Sequence, residues 1–299
     1  MELRHLRCFL AVADELHFTR AAQRLHIEQS PLSRTIKDLE THLGTRLFDR
    51  GGINGTQLTA AGHALMEAAP RIFIAVEQAH NRVFAARSGF SGTLRIALSD
   101  GVLVQRLAAL LACSRAQEPE VEVQLSEVPL ALQVKGLKNG LFDAGLACSA
   151  AIGHGLCAQA LWHTPLAVAV PSRHPLLEHK HIPLNLVLSY PLVLFHPEAQ
   201  AGLYQHVATL LSTIHIQPKV IGHAVSQEML LALVSAGYAV GLCCAEKLAI
   251  YPSDDVIIRP LASAPAHFTT YLLRAAHEPQ PQLARFIARA MALAARPDT

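Results

Sequence analysis

The chain has 299 residues, enough for two or three domains with real cores. Hydrophobic residues make up 51% and charged residues only 16%, a balance that excludes a disordered protein. The formal net charge is +2, and residues 1–10 carry charges where a secretory apolar segment would lie. The most apolar run, residues 229–245, is slightly short for a membrane span and holds Gly237 and Gly241; it reads as a buried helix, turn and strand. These features predict a cytoplasmic protein with no membrane partner, whose six cysteines are reduced.

Residues 2–14 place Leu3, Leu6, Phe9, Leu10 and Ala13 on one face and predict a first helix. Two shorter periodic segments follow. Phe18, Ala21, Ala22 and Leu25 form one face; Leu32, Ile36, Leu39 and Leu43 form another, in steps of four, three and four. The Ala21-Ala22 pair lets two helices approach closely, and residues 26–29 suffice only for a tight turn. This is a helix-turn-helix pattern, in which the second helix lies in a major groove. Gln29, Ser33 and Arg34 fall near the start of that helix and Lys37 one turn later. Gln pairs with adenine and Arg with guanine through base edges, while Ser and Lys hold phosphates. A solvated face on a small helical bundle would look the same. The acidic residues Glu2, Asp14, Glu15, Glu28, Asp38, Glu40 and Asp49 nearly balance the basic ones, so each subunit contributes modest non-specific affinity and oligomeric binding must supply the rest.

Residues 47–59 read as a small hairpin, with a tip of Gly51-Gly52-Ile53-Asn54-Gly55 that suits turns needing positive φ. A long helix is predicted over residues 60–87. Its Leu65, Ala69, Ile72, Val76, Ala79 and Val83 alternate in steps of four and three, the spacing of a coiled-coil dimer seam. Pro70 removes one helix hydrogen bond and is expected to kink the rod. Residues 88–92, SGFSG, read as a hinge.

The remainder alternates strands and helices. Strands are predicted at 93–99, 121–127, 143–148, 166–170, 192–195, 219–223, 238–243 and 268–274. Helices are predicted at 103–112, 130–139, 204–214, 227–235 and 282–295. Such alternation implies α/β architecture with parallel sheets covered on both faces. Crossings near residues 162–165 and 264–268 divide it into two subdomains around a cleft. In such folds ligands bind outside the carboxyl ends of strands, near helix N-termini. That selects Ser99, Asp100 and Gly101; Val128 and Pro129 after Glu127; Phe195 and His196, continuing to Gln200; and Ser226 with Gln227. Asp100 disfavours an anionic ligand unless a cation offsets it, which leaves neutral and cationic ligands open.

Residues 1–62 resemble the winged helix-turn-helix of LysR-type transcriptional regulators. The matching positions are Leu6, Phe9, Val12, Ala13, Phe18, Thr19, Ala21, Ala22, Leu25, Gln29, Leu32, Ser33, Arg34, Ile36, Leu39 and Glu40. They continue through Leu43, Gly44, Leu47, Phe48, Arg50, Leu58, Thr59, Ala61 and Gly62. The resemblance extends more weakly to the C-terminus. It implies a winged DNA-binding domain (1–59), a linker dimerisation helix (60–88) and an effector-binding domain (93–299) like periplasmic binding proteins. That last domain would divide into subdomain I (93–163 and 267–299) and subdomain II (164–266). The implied DNA contacts are Thr19, Arg20, Gln29, Ser30, Pro31, Ser33, Arg34, Lys37 and Arg50. Double-stranded DNA with partly palindromic sites, a small-molecule effector such as an aromatic or other carboxylic acid, a homodimer assembling as a homotetramer, and RNA polymerase for an activator are the implied partners. The chain departs from the family pattern in several places. Glu28 stands where a Ser usually caps the recognition helix, and Glu caps poorly. The wing tip has no cation beyond Arg50. Pro129 replaces a common Thr or Ser. His196-Pro197 stands where some relatives that sense aromatic acids carry Pro-Arg, and His196 could replace that anion clamp in part.

No enzyme signature is present: there is no G-x-S-x-G elbow, P-loop, G-x-G-x-x-G or HExxH. No catalytic residue, cofactor or metal is therefore expected. His174, His179 and His181 lack compact ligand spacing. Cys243 and Cys244 are read as buried structural thiols, with thiol-redox sensing as the alternative within the same architecture, and a cleft enzyme as a further one.

Overall fold

Phe9, Val12, Leu32, Ile36 and Leu39 are fully buried, and their spacing makes the N-terminal helices. In the computed structural model, which describes residues 1–52, 55–87, 91–99, 101–102, 104–212, 216–244, 254–262 and 267–295, these helices are α1 (Leu3–Glu15), α2 (Phe18–Arg24) and α3 (Gln29–Leu43). The hairpin β1 (Phe48–Gly52) and β2 (Gly55–Leu58) follows, then the 28-residue helix α4 (Ala60–Arg87). The α1 helix stops at Leu16, whose φ of 46° is left-handed, and α3 stops at Gly44, φ 68°. Residue Glu28 caps α3 without a side-chain hydrogen bond, as its chemistry predicts. The α4 helix continues through Pro70. Wing-tip residues 53–54 and hinge residues 88–90 lie outside the described residues. Contacts cluster into two compact units, Met1–Phe84 and Ala85–Thr299.

The second unit is built on β3 (Gly92–Leu98), β4 (Val121–Glu127), β5 (Ala144–Ala147), β6 (Leu156–Pro171), β7 (Leu192–Phe195), β8 (Val220–Ala224), β9 (Val240–Cys244), β10 (Val256–Pro260) and β11 (His267–Ala275). The hydrogen-bonded order is β4-β3-β5-β11-β6-β9-β7-β8, with β10 also paired to β6. Helices α5 (Val104–Gln117), α6 (Leu130–Lys138), α7 (Leu184–Val187), α8 (Ala201–Ser212), α9 (Gln227–Ser235) and α10 (Pro281–Ala294) cover it.

The expectation of parallel sheets holds within each half but not along the connection between them. Pairs β3–β4, β3–β5, β7–β8 and β7–β9 are parallel, but β6 runs antiparallel to β9, β10 and β11. The strand expected at 166–170 is the 16-residue β6. Residues 156–165 gave no strand pattern because Gln159, His163 and Pro165 interrupt the apolar run; pairing with β11, from Leu156–Ala275 to Pro165–His267, makes them a strand. The crossing near residues 162–165 is thus continuous strand. Strand β10, the short helix α7 and a 3-10 turn at Pro175–Glu178 carried no periodicity long enough to read. Helix α5 extends past the predicted end to Gln117, and α8 starts earlier, at Ala201.

Two cores result. Leu94, Ile96, Leu110, Leu146, Leu272 and Phe286 pack in the first half. Val168, Val170, Leu192, Val193, Leu230 and Leu242 pack in the second. The first is closed by an ionic clamp: Glu118, just past α5, pairs with Arg285 and Arg289 of α10. The Arg289 side chain is 8% exposed, and its Nε–H also donates to Ser114 Oγ at 3.2 Å. Burial works to raise the Glu118 carboxyl, but the hydrogen bonds and charges of Arg289 and Arg285 outweigh it and hold the carboxyl below its usual range.

Removing one member leaves the buried guanidinium uncompensated, so Glu118→Gln should cost about 3 kcal/mol in urea unfolding. Because the folded carboxyl titrates low, this contribution is complete above the ordinary carboxylate range. It fades as pH falls, so the gap between wild type and variant should narrow below about pH 4.

Candidate DNA-reading helix and effector cleft

In the first unit, Ala21 and Ala22 are buried, and α2 ends in a turn where Ile27 N–H donates to Ala22 O at 3.0 Å and His26 takes φ 54°. This turn sets the start of α3. Thr19 Oγ1 donates to Gln29 Oε1 at 3.0 Å, tying the two helix starts together. Gln29, Ser30, Pro31, Arg34 and Lys37 are exposed and Ser33 is half-buried. The cations Arg34 and Lys37 have no acidic partner among the described residues.

Two other expected DNA contacts are engaged within the chain. The guanidinium of Arg20 donates to Glu15 O at 2.8 Å and lies 3.6 Å from the Glu15 carboxylate. Arg50 pairs with Glu40 at 3.0 Å and stacks over the Phe18 ring at 4.8 Å. The second oxygen of Glu40 accepts the N–H groups of Leu47 (2.9 Å) and Phe48 (3.3 Å). One carboxylate thus holds the wing against α3. On α4, Leu65 packs against this unit's own core and Ala69 is fully buried in a single chain; Ile72 is half-buried, while Val76, Ala79 and Val83 are exposed. The uniform seam expected from the spacing therefore divides: its first two positions are taken by the unit itself.

In the second unit, the strand ends gather the other expected residues into two groups. Ser99 N–H donates to Leu146 O at 3.0 Å and Val128 N–H to Leu98 O at 2.9 Å, joining the ends of β3, β4 and β5; Pro129 caps α6 beside them. His196 N–H donates to Ala224 O at 2.8 Å, and Gln200 Nε2 to Val225 O at 3.0 Å, joining the ends of β7 and β8. His196 Nδ1 accepts the N–H groups of Glu198 and Ala199, which puts its proton on Nε2. Ser226 Oγ caps α9 by accepting Met229 N–H at 3.2 Å. Phe195, 1% exposed, belongs to the core. Asp100 lies outside the described residues.

Ser99 and Gln227 are each 5% exposed, yet Ser99 Oγ and both polar atoms of the Gln227 amide have no hydrogen-bond partner among the described residues. Unpaired buried polar atoms are rare in native proteins and call for an explanation.

The halves touch where Gly101 meets α8. Its φ is 81°, and a Cβ there would stand 2.6 Å from Cys148 Sγ and 2.7 Å from Leu203 Cδ2. A Cβ at Gly202 would stand 2.9 Å from the Cys148 backbone. Cys148 is thus the junction residue, missed because a thiol in an apolar strand reads as core; the glycines at 101 and 202 were the available signal. Burial, then the neighbouring Cys244 thiol, push Cys243 well above the ordinary thiol value, so it is protonated at neutral pH and a poor nucleophile. Among the described residues, no cluster of three His, Cys, Asp or Glu side chains could hold a metal, and no helix is long and apolar enough to cross a membrane.

Residues 3–63 match the family model described as "Bacterial regulatory helix-turn-helix protein, lysR family", and residues 87–295 match "LysR substrate binding domain". The chain is similar to the HTH-type transcriptional regulator YnfL of Escherichia coli, 36% identical across 81% of this chain and 82% of that one. It is 31% identical to the HTH-type transcriptional regulator BenM of Acinetobacter baylyi, across 81% and 80% of the two chains. The solved structure of CbnR, a LysR family transcriptional regulator, superposes with a TM-score of 0.72 at 27% identity, covering 99% of this chain and 100% of that one. CbnR has also been solved with its target DNA, and that structure matches with a TM-score of 0.70 at 26% identity, again over 99% and 100% of the chains. Two family models that together span nearly the whole chain, over the fold described above, make this protein a member of the LysR family of DNA-binding transcriptional regulators.

Proposed function

We propose that α3 reads the major groove of partly palindromic operator DNA through Gln29, Ser33 and Arg34, with Lys37 on phosphate. The exposure of Arg34 and Lys37, neither offset by a carboxylate among the described residues, supports this choice. Arg20 and Arg50 act mainly as struts that hold α2 and the wing, which leaves base reading to α3. The chain dimerises through the exposed lower stripe of α4, centred on Val76 and Val83, and pairs of dimers form a tetramer. The 93–299 domain takes a small effector at the strand-end loops, and occupancy shifts the balance between states of different DNA affinity or promoter activity.

The observation that carries the effector reading is the orphaned set of Ser99 Oγ and the Gln227 amide. Each such atom costs about 1–3 kcal/mol if left dry and unpaired. A carboxylic acid suits them: its oxygens accept from the Ser99 hydroxyl, the Gln227 Nε2 and the His196 Nε2–H, near the positive end of α9. The raised Cys243 thiol supports the small-molecule reading over a redox one.

Arg34→Ala should weaken specific operator binding by about 1–3 kcal/mol and relax preference at one base position, while Lys37→Ala should weaken all sequences alike and reduce the salt slope by about 1. Footprinting and salt titration separate the two; an unchanged Arg34→Ala footprint would remove the base contact. Val76→Asp should convert the dimer to monomer in light scattering, and a variant that stays dimeric places the seam elsewhere. In a thermal-shift panel of aromatic and aliphatic carboxylates on the full chain, a ligand at a hundredfold its Kd should stabilise by about 2.7 kcal/mol. Gln227→Leu should abolish that gain; a gain that survives in Gln227→Leu refutes the assignment of this amide.

A further inference from the structure

A cavity of about 520 Å3 opens between α8, the segment after β5, and β11. It shares only Cys148 with the glycine contact described above, and none of Ser99, Val128, His196, Ser226 or Gln227 lines it. We propose that this hinge cavity is a separate binding site for a small, uncharged, largely apolar molecule carrying one hydrogen-bonding group, such as a phenol or an indole.

The size falls within the usual range for small-ligand pockets. Leu166, Leu210 and Phe268 supply apolar wall, and Ala150 and Ala151 form a rim without bulk. Three polar groups have capacity left. Ser149, 8% exposed, accepts Ala151 N–H at 3.1 Å, and its own hydroxyl proton has no acceptor among the described residues. The His267 ring meets His163 edge-on at 5.4 Å, and neither of its nitrogens has a hydrogen bond among the described residues. The Tyr271 hydroxyl is likewise unspent among them.

The same lining argues against a charged ligand. Among the described residues it contains no Asp, Glu, Lys or Arg. His206 cannot substitute for one. Its Nδ1–H donates to Gly202 O at 2.9 Å, and its Nε2 accepts Thr269 N–H at 3.4 Å. Both ring nitrogens are thus engaged within the protein, and neither is left to meet a ligand. An ionised carboxylate or ammonium placed here would lose its hydration without a counter-charge. The strand-end cleft differs: it offers the N-terminus of α9 and the His196 Nε2–H. The hinge cavity and the strand-end residues therefore suit opposite ligand chemistries. An occupant of the hinge cavity would touch both halves of the domain at once, through α8 on one side and the post-β5 segment on the other.

The test uses the full-length protein, with phenol and indole as probes and benzoate as the charged counterpart, read by calorimetry and by ligand-observed NMR. Thr209→Trp on α8 and Ala150→Trp on the opposite rim both fill the cavity from exposed positions; circular dichroism and the melting midpoint check that each folds. Phenol or indole should bind the wild type, and each Trp variant should weaken that binding by at least about tenfold through steric exclusion. Gln227→Leu should leave it unchanged. The proposal is overturned if neither probe binds up to its solubility, if binding persists in both Trp variants, or if Gln227→Leu removes it, which would assign the probes to the strand-end cleft. Benzoate that competes with phenol for the same site would overturn the charge argument.

Discussion

Strand β6 has sixteen residues of backbone whose N–H and C=O groups must be paired, and no single small sheet is long enough to pair them. Its first part satisfies them against β11, its last part against β9 and β10. One continuous strand therefore belongs to both halves of the second unit. The parallel strands on either side end facing a common region, and the Gly101–Cys148–Leu203 contact closes one part of it. Because the connection is a strand and not a loop, motion between halves must bend or twist a paired ladder, which favours a few discrete arrangements over a continuum.

The first unit solves a different problem. A reading helix needs one face buried enough to hold it and the other left uncommitted. Leu32, Ile36 and Leu39 are fully buried, which anchors α3 through its apolar stripe. The single carboxylate of Glu40 then holds the wing through two backbone amides and Arg50. Using Arg50 and Arg20 as internal struts reduces the charge available to phosphates. With a net charge of only +2, the protein has few cations to offer to phosphates, so their placement matters more than their number.

The domain presents polar groups in two settings. At the strand ends they are deeply buried and orphaned, at Ser99 and Gln227. In the hinge cavity a buried serine and a half-buried histidine and tyrosine lie in apolar wall, beside a second histidine whose two nitrogens are already occupied. The first setting favours a ligand that accepts several hydrogen bonds, the second one that brings carbon and a single polar atom.

Much was legible in the sequence. The steps of three and four in residues 18–43 determined the helix pair, because a 3.6-residue repeat leaves few alternatives for so regular a stripe. The capping weakness of Glu28, the strand-end loops at Ser99, Val128, His196 and Ser226, and α9 over Gln227–Ser235 were likewise local properties. What the tertiary structure decided are matters of pairing between distant residues. The antiparallel course of β6 depends on β11, more than a hundred positions away, so residues 156–165 had no local signature. Arg50 and Arg20 looked free until Glu40 and Glu15 were found beside them, since a charge's availability depends on its neighbours in space. The same reason hid Cys148 and the hinge cavity. Their walls come from β5, α8 and β11, and no stretch of sequence contains them together.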